Sequence, residues 1–240
     1  MASRAQVSEA LVRRSFGEMA PSLIRGITYT PKVLALDEFY IGDRKGYLTA
    51  LYAPQERRIV QVSLGHSQAS AEALLDQLPD GEEVQAVVMD MTEGFRQAVQ
   101  LCCPRAAIVV VKFHVLAHVL NALQHVCSQV QSQADREDIA ILRRRSLFTA
   151  QPTDLTLAER QQRDRMLAKY PQLATAWEYA QSFRQIYWAY TRTTAARALE
   201  DWWDRVQQKG PRAFLGLRHM LSHWREEILN YCAMHGVTSR

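Results

Sequence analysis

The sequence predicts an α/β domain followed by an all-helical region. Three observations carry this: five short apolar runs within the first 111 residues, the order βββαβαβ that they make with the helical patterns between them, and no further strand pattern from Phe113 onward.

The first strand is Lys32-Val33-Leu34-Ala35-Leu36-Asp37-Glu38-Phe39, apolar until it exits on acids. Gly42-Asp43-Arg44-Lys45-Gly46 supplies turn residues, and Tyr47-Leu48-Thr49-Ala50-Leu51-Tyr52 reads as the second strand. Ala53-Pro54-Gln55-Glu56 turns the chain into a third, Arg57 to Leu64. Strands joined by such short turns form an antiparallel meander. A helix is expected from Ser67 or Ser70 to Leu78, because Ala71, Leu74, Leu75 and Leu78 fall at helical spacing before Pro79-Asp80-Gly81. The fourth strand, Val84 to Met89, again ends on an acid, Asp90. Thr92 begins a helix that Pro104 stops, and Ala106 to Val111 is a fully apolar fifth strand. This element order is the layout of a ribonuclease-H-like domain.

Beyond Phe113, apolar spacing, the capping box Thr156-Leu157-Ala158-Glu159 and breaks near Pro152, Pro171 and Gly210-Pro211 divide the chain into five or six helices. Trp177, Trp188, Trp202, Trp203 and Trp224 all lie there and read as interior anchors of a helical bundle, with base stacking as the alternative. Ahead of the first strand, residues 5–16 read as a basic amphipathic helix. It is either the last helix of a helix-turn-helix or a packing helix.

Composition narrows the function. No apolar run approaches the ~20 residues of a membrane-spanning helix, and the start lacks a signal-peptide core, so a cytoplasmic protein without a membrane partner is expected. Cys102, Cys103, Cys127 and Cys232 make no Cys-x-x-Cys pair, which argues against a zinc ribbon and for reduced, buried thiols. Residues 1–111 carry 11 Lys/Arg against 13 Asp/Glu, and residues 112–240 carry 18 against 12. The second half is therefore the one suited to phosphates.

Asp37 and Asp90 are the candidate chemistry. A carboxylate at the exit of a buried strand is costly to desolvate unless a cation or donor meets it, and two such strands side by side suit a two-metal phosphoryl-transfer site. Glu38 alternates to the opposite face of its strand and is not counted as a ligand. His114, His118, Asn121 and His125 share one helix face, with no acid or cysteine placed to complete a zinc site. Arg143-Arg144-Arg145, beside Lys169, Arg184, Arg192 and Arg197, is either a DNA-backbone grip or a solvated face.

Asp37-Glu38-Phe39, Met89-Asp90-Met91-Thr92, Lys112-Phe113-His114-Val115, Leu173-Ala174-Thr175-Ala176-Trp177 and the segment His223 to Tyr231 together resemble the ISL-three family of insertion-sequence transposases, from about Pro31 to Arg240. The resemblance implies an Asp-Asp-Glu catalytic core interrupted by a helical insertion, with terminal-inverted-repeat DNA as substrate. It makes Asp37 and Asp90 the first two metal-binding acids, for two Mg²⁺ or Mn²⁺ ions, leaves His114 of the motif either to reach the scissile phosphate or to orient the acid site, and implies a nucleoid-associated bacterial protein. It implies a chain truncated at both ends. Residues 1–30 would be the remnant of an N-terminal DNA-binding region, 31–112 the catalytic core, and 113–240 a helical insertion region ending before the third acid.

Two departures follow. The family's aspartate three residues before the histidine is Val111 here, and the family's third acid, a glutamate, would lie beyond the segment resembling Leu229 to Tyr231. Glu226 and Glu227 are the nearest substitutes and read better as a solvated face. The expectation is therefore a transposase catalytic-domain fragment for DNA cleavage and joining, inactive by itself. The alternatives are a DNA-binding or dimerising remnant that pairs with itself or a full-length copy, and an unrelated ribonuclease-H-like nuclease.

Overall fold

The computed structural model describes residues 28–41, 46–189 and 191–234. The basic helix expected over residues 5–16 and most of the turn at residues 42–46 lie outside them. The chain divides between Ile108 and Val109 into two compact units. Among the described residues no helix is long and apolar enough to cross a membrane.

The first unit is built on a mixed sheet. Strands β1 (Val33–Tyr40), β2 (Tyr47–Ala53) and β3 (Arg58–Leu64) form the expected antiparallel meander, with a register irregularity at Leu51/Tyr52. Helix α1 (Gln68–Leu75) then carries the chain over to β4 (Ala86–Met89), which pairs parallel with β1; a parallel neighbour requires such a crossover. Helix α2 (Glu93–Cys102) leads to β5 (Ala107–Val110), giving the order β3-β2-β1-β4-β5.

Period-two alternation decides which face of the central strands is dry. Leu34 and Leu36 of β1, like Val87 and Met89 of β4, are buried, while the alternate positions Ala35 and Val88 are half-buried. Each buried leucine or valine side chain contributes roughly 1.5–3 kcal/mol.

Helix α1 is capped by Ser67, whose hydroxyl accepts from the Ser70 amide at 3.2 Å. It ends at Leu75 instead of Leu78. Leu78 precedes Pro79, which disfavours the helical conformation, yet its side chain still reaches the core. The β3–α1 connection needs Gly65, at φ +96°, where an added Cβ would stand 2.6 Å from the Ser70 hydroxyl. At Gly81 an added Cβ would lie 1.9 Å from the carbonyl oxygen of Cys102.

From Lys112 onward the described residues of the second unit form no strand. It comprises α3 (Lys112–Gln133), α4 (Arg136–Leu142), α5 (Ser146–Thr149), α6 (Leu157–Lys169), α7 (Pro171–Ile186), α8 (Arg192–Lys209), α9 (Arg212–Leu215), α10 (Arg218–His223) and α11 (Arg225–Ala233). The five or six helices expected are thus cut into shorter pieces. The breaks after α3 and α10 carry neither Gly nor Pro, so the sequence gives no punctuation there.

Helix α3 buries Val115, Val119, Leu123, Val126 and Val130 on one stripe, chiefly against Leu173, Ala176, Ala180 and Phe183 of α7. Trp202 of α8 is fully buried, its indole N–H donating to the Tyr179 carbonyl at 2.9 Å and its ring 4.9 Å from Phe183. The predicted capping box starts α6: the Glu159 amide donates to the Thr156 hydroxyl at 3.3 Å, and the Thr156 amide to the Glu159 carboxylate at 3.0 Å.

All four cysteines are free thiols. Cys103, Cys127 and Cys232 are buried, and Cys102 donates to the Asp76 carboxylate at 3.2 Å. Burial, with Asp76 beside it, pushes the Cys102 thiol up to about 12, and burial pushes Cys103 to about 11. These are packing thiols, not nucleophiles.

Candidate functional site

Along the β1–β4 ladder Val33 pairs with Ala86, Leu34 with Val87 and Ala35 with Val88. The paired stretch ends at Ala35 and Val88, so Asp37 and Asp90 each lie two residues beyond it, Asp37 still within β1 on the face of Ala35 and Asp90 one residue past β4. Asp37 is exposed, and Asp90, one residue past β4, is half-buried.

The Glu38 amide donates to Asp37 Oδ1 at 2.9 Å, which fixes one carboxylate oxygen. Glu38 itself is half-buried on the alternate side of β1, as expected. The Asp90 carbonyl accepts from the Thr92 amide at 2.8 Å, turning the chain directly into α2.

Two carboxylates just beyond the paired stretch of neighbouring strands suit a hard divalent cation, which takes oxygen ligands and keeps several waters. Among the described residues, no three His, Cys, Asp or Glu side chains form a metal-holding group. Val111, just after β5, caps α3 and brings no donor side chain. The site as described offers a cation two protein carboxylates. One turn into α2, Arg96 is almost fully buried with its guanidinium 3.3 Å from Glu93. Sequence reasoning passed over it because a lone arginine on an amphipathic helix gives no signal.

His114 lies in the first turn of α3, in the second unit, half-buried with its ring edge-on to Phe113 at 5.5 Å. His118, Asn121 and His125 are exposed along that helix. Of the arginine run, Arg143 is exposed. Arg144 is tied to Glu159 at 2.9 Å and Gln162 at 2.7 Å, and Arg145 to Ser128 and Gln131, each at 3.0 Å. Several of the flanking cations are likewise internal struts. Lys169 bridges Asp135 and Asp138, Arg184 donates to the Thr149 carbonyl, and Arg192 pairs with Glu226 and Asn230. Glu226 also meets Arg225 at 2.9 Å, so it is engaged in ion pairs within the helical unit.

The tryptophans divide differently from the sequence expectation. Trp202 and Trp224 are interior anchors, but Trp188 is 66% exposed because it lies two residues past the end of α7, off its buried stripe. With Phe113, 72% exposed, and Trp177 it lines a cleft of about 790 Å³ inside the helical unit.

Comparison with known proteins gives the chain its relatives. A family model described as a transposase, of the ISL-three group with the DDE catalytic pattern, matches residues 34–239. The chain is also similar to the transposase for insertion sequence element IS1001 of Bordetella parapertussis, at 28% identity over 207 residues, covering 83% of this chain and 50% of that protein. It thus spans about half the length of the curated relative it matches.

Proposed function

Because the chain belongs to the ISL-three family of transposases, we propose that it carries the ribonuclease-H-like catalytic core of an enzyme that cleaves and joins DNA at insertion-sequence ends. The core corresponds to residues 31–112, and residues 113–240 correspond to the family's insertion region, helical in elements from Lys112 to Ala233. The observation that supports this reading is that Asp37 and Asp90 stand just beyond the paired stretch of the parallel strands β1 and β4. The sheet order β3-β2-β1-β4-β5 supports it.

In this reading Asp37 and Asp90 hold Mg²⁺ or Mn²⁺. A bound divalent cation supplies Lewis-acid stabilisation of the charge on a transferring phosphate. Asp37 is held by the Glu38 amide so that one oxygen stays oriented, and Asp90 is fixed by the turn into α2. His114 is carried over from the family motif as the residue that meets the scissile phosphate. Arg143, with Arg144 and Arg145 behind it, contacts the DNA backbone. The DNA partner is the terminal inverted repeat, engaged by a homo-oligomer or together with a full-length copy.

The test is a strand-cleavage and joining assay on inverted-repeat DNA with Mg²⁺ or Mn²⁺. Metal-dependent product that disappears in Asp37→Ala and Asp90→Ala supports the assignment, and product unchanged in both variants removes it. A second reading, a chain that binds DNA without catalysing, is favoured by Val111, which cannot serve as a ligand or orient a base. It predicts DNA binding with no cleavage by the chain alone, and robust cleavage would overturn it.

A further inference from the structure

The helical unit holds a cleft that the catalytic reading does not use. Its mouth presents Trp188 and Phe113, both largely exposed, and Trp177 lines it with the Arg163 guanidinium 4.8 Å from the indole centroid. That cation–π contact, from an arginine that is itself buried, braces the indole in one orientation. Two cations, Lys112 and Arg184, line the same cleft against a single carboxylate, Asp154.

Donors there also lack acceptors. Arg184 donates one nitrogen to the Thr149 carbonyl, but its Nε and Nη1, like Nε2 of Gln181, are buried without a hydrogen-bond partner among the described residues. Buried donors are nearly always satisfied, so these nitrogens, closed to solvent as the side chains stand, gain an acceptor when Arg184 and Gln181 turn toward the cleft. Burial, together with the nearby Arg184 charge, holds the Lys112 ammonium below its ordinary value; a bound anion would reverse that.

Flat aromatic walls, an arginine fork and amide donors together describe one chemistry. A base offers a π-face to indoles, and its phosphate offers paired oxygens to a guanidinium. A base inside a duplex hides its faces in the stack, so only an unpaired one fits. The volume lies within the ~300–1,000 Å³ usual for small-ligand sites.

We propose that this cleft receives one unpaired nucleotide of the DNA, with the base against Trp188 and Trp177 and the phosphate at Arg184 and Lys112. The inference rests on the transposase reading, since it presumes that DNA is the partner, and it adds a site remote in sequence from Asp37 and Asp90.

The experiment uses the whole chain and two fluorescent duplexes, alike except that 2-aminopurine is paired in one and a single-nucleotide bulge in the other. Anisotropy is expected to show about tenfold tighter binding of the bulged duplex, with quenching of the aminopurine by stacking. Trp188→Ala, at an exposed position that leaves the fold intact by circular dichroism, is expected to erase that preference and leave paired-duplex affinity unchanged. Arg184→Gln is expected to weaken the bulged complex selectively. Equal affinity for the two duplexes, or a preference that survives Trp188→Ala, overturns the pocket while leaving the catalytic assignment standing. Binding of neither duplex overturns the DNA reading itself, and the pocket with it.

Discussion

Asp37 and Asp90 place two carboxylates just beyond the paired stretch of β1 and β4. Asp37→Asn is expected to lose the stabilisation that Mn²⁺ gives the unmodified chain. Thermal denaturation with and without Mn²⁺ reads this; a variant that still responds to Mn²⁺ in full would contradict it. The adjacency of β1 and β4 was legible in the sequence, because apolar runs ending on acids in a βββαβαβ order leave few alternatives. The arginine run was not legible in the same way. Three consecutive residues on a helix end point in different directions, and only the neighbours Glu159, Gln162, Ser128 and Gln131 show that Arg144 and Arg145 are tied inward.

Among the elements, the α7–α8 packing and the α4–α6 connection set the stability of the helical unit. Trp202→Ala is expected to cost about 3–5 kcal/mol, since it empties a fully buried site and removes the indole hydrogen bond to the Tyr179 carbonyl, whereas Trp188→Ala is expected to cost little. Denaturant titration distinguishes them, and equal losses would contradict the burial pattern. The same contrast shows where sequence reasoning stopped: tryptophan content announced a core, but which indole lay beyond a helix end depended on where α7 terminates. Asp138 on α4 is buried and accepts from Lys169, Tyr170 and Arg165. Hydrogen bonds from Lys169 and then Tyr170 hold its carboxyl below the usual range. A depressed carboxylate contributes stability above its unfolded value, near pH 4, and loses it as pH falls through the folded value. Acid unfolding followed by circular dichroism should therefore begin at higher stability than in Asp138→Asn, with the difference vanishing at low pH. A difference that grew below pH 4 would contradict the network. In the sheet unit, Gly81→Ala is expected to be strongly destabilising because its Cβ would collide with the Cys102 carbonyl.

For the whole molecule, the uneven charge matters more than the net of +4. Residues 112–240 hold the positive excess, so duplex affinity should fall steeply between 50 and 200 mM salt. Arg143→Ala should lower the slope of log affinity against log salt by about one. A salt-independent affinity would place the contacts elsewhere. The chain spans about half of its curated relative. The central claim is narrower: that Asp37 and Asp90 form one cation site. Its most direct test is Mn²⁺ binding by the whole chain, followed by electron paramagnetic resonance. The account predicts a bound ion in the unmodified protein and in Trp188→Ala, with affinity lowered about tenfold or more in both Asp37→Asn and Asp90→Asn. Undiminished Mn²⁺ binding in both aspartate variants would contradict it.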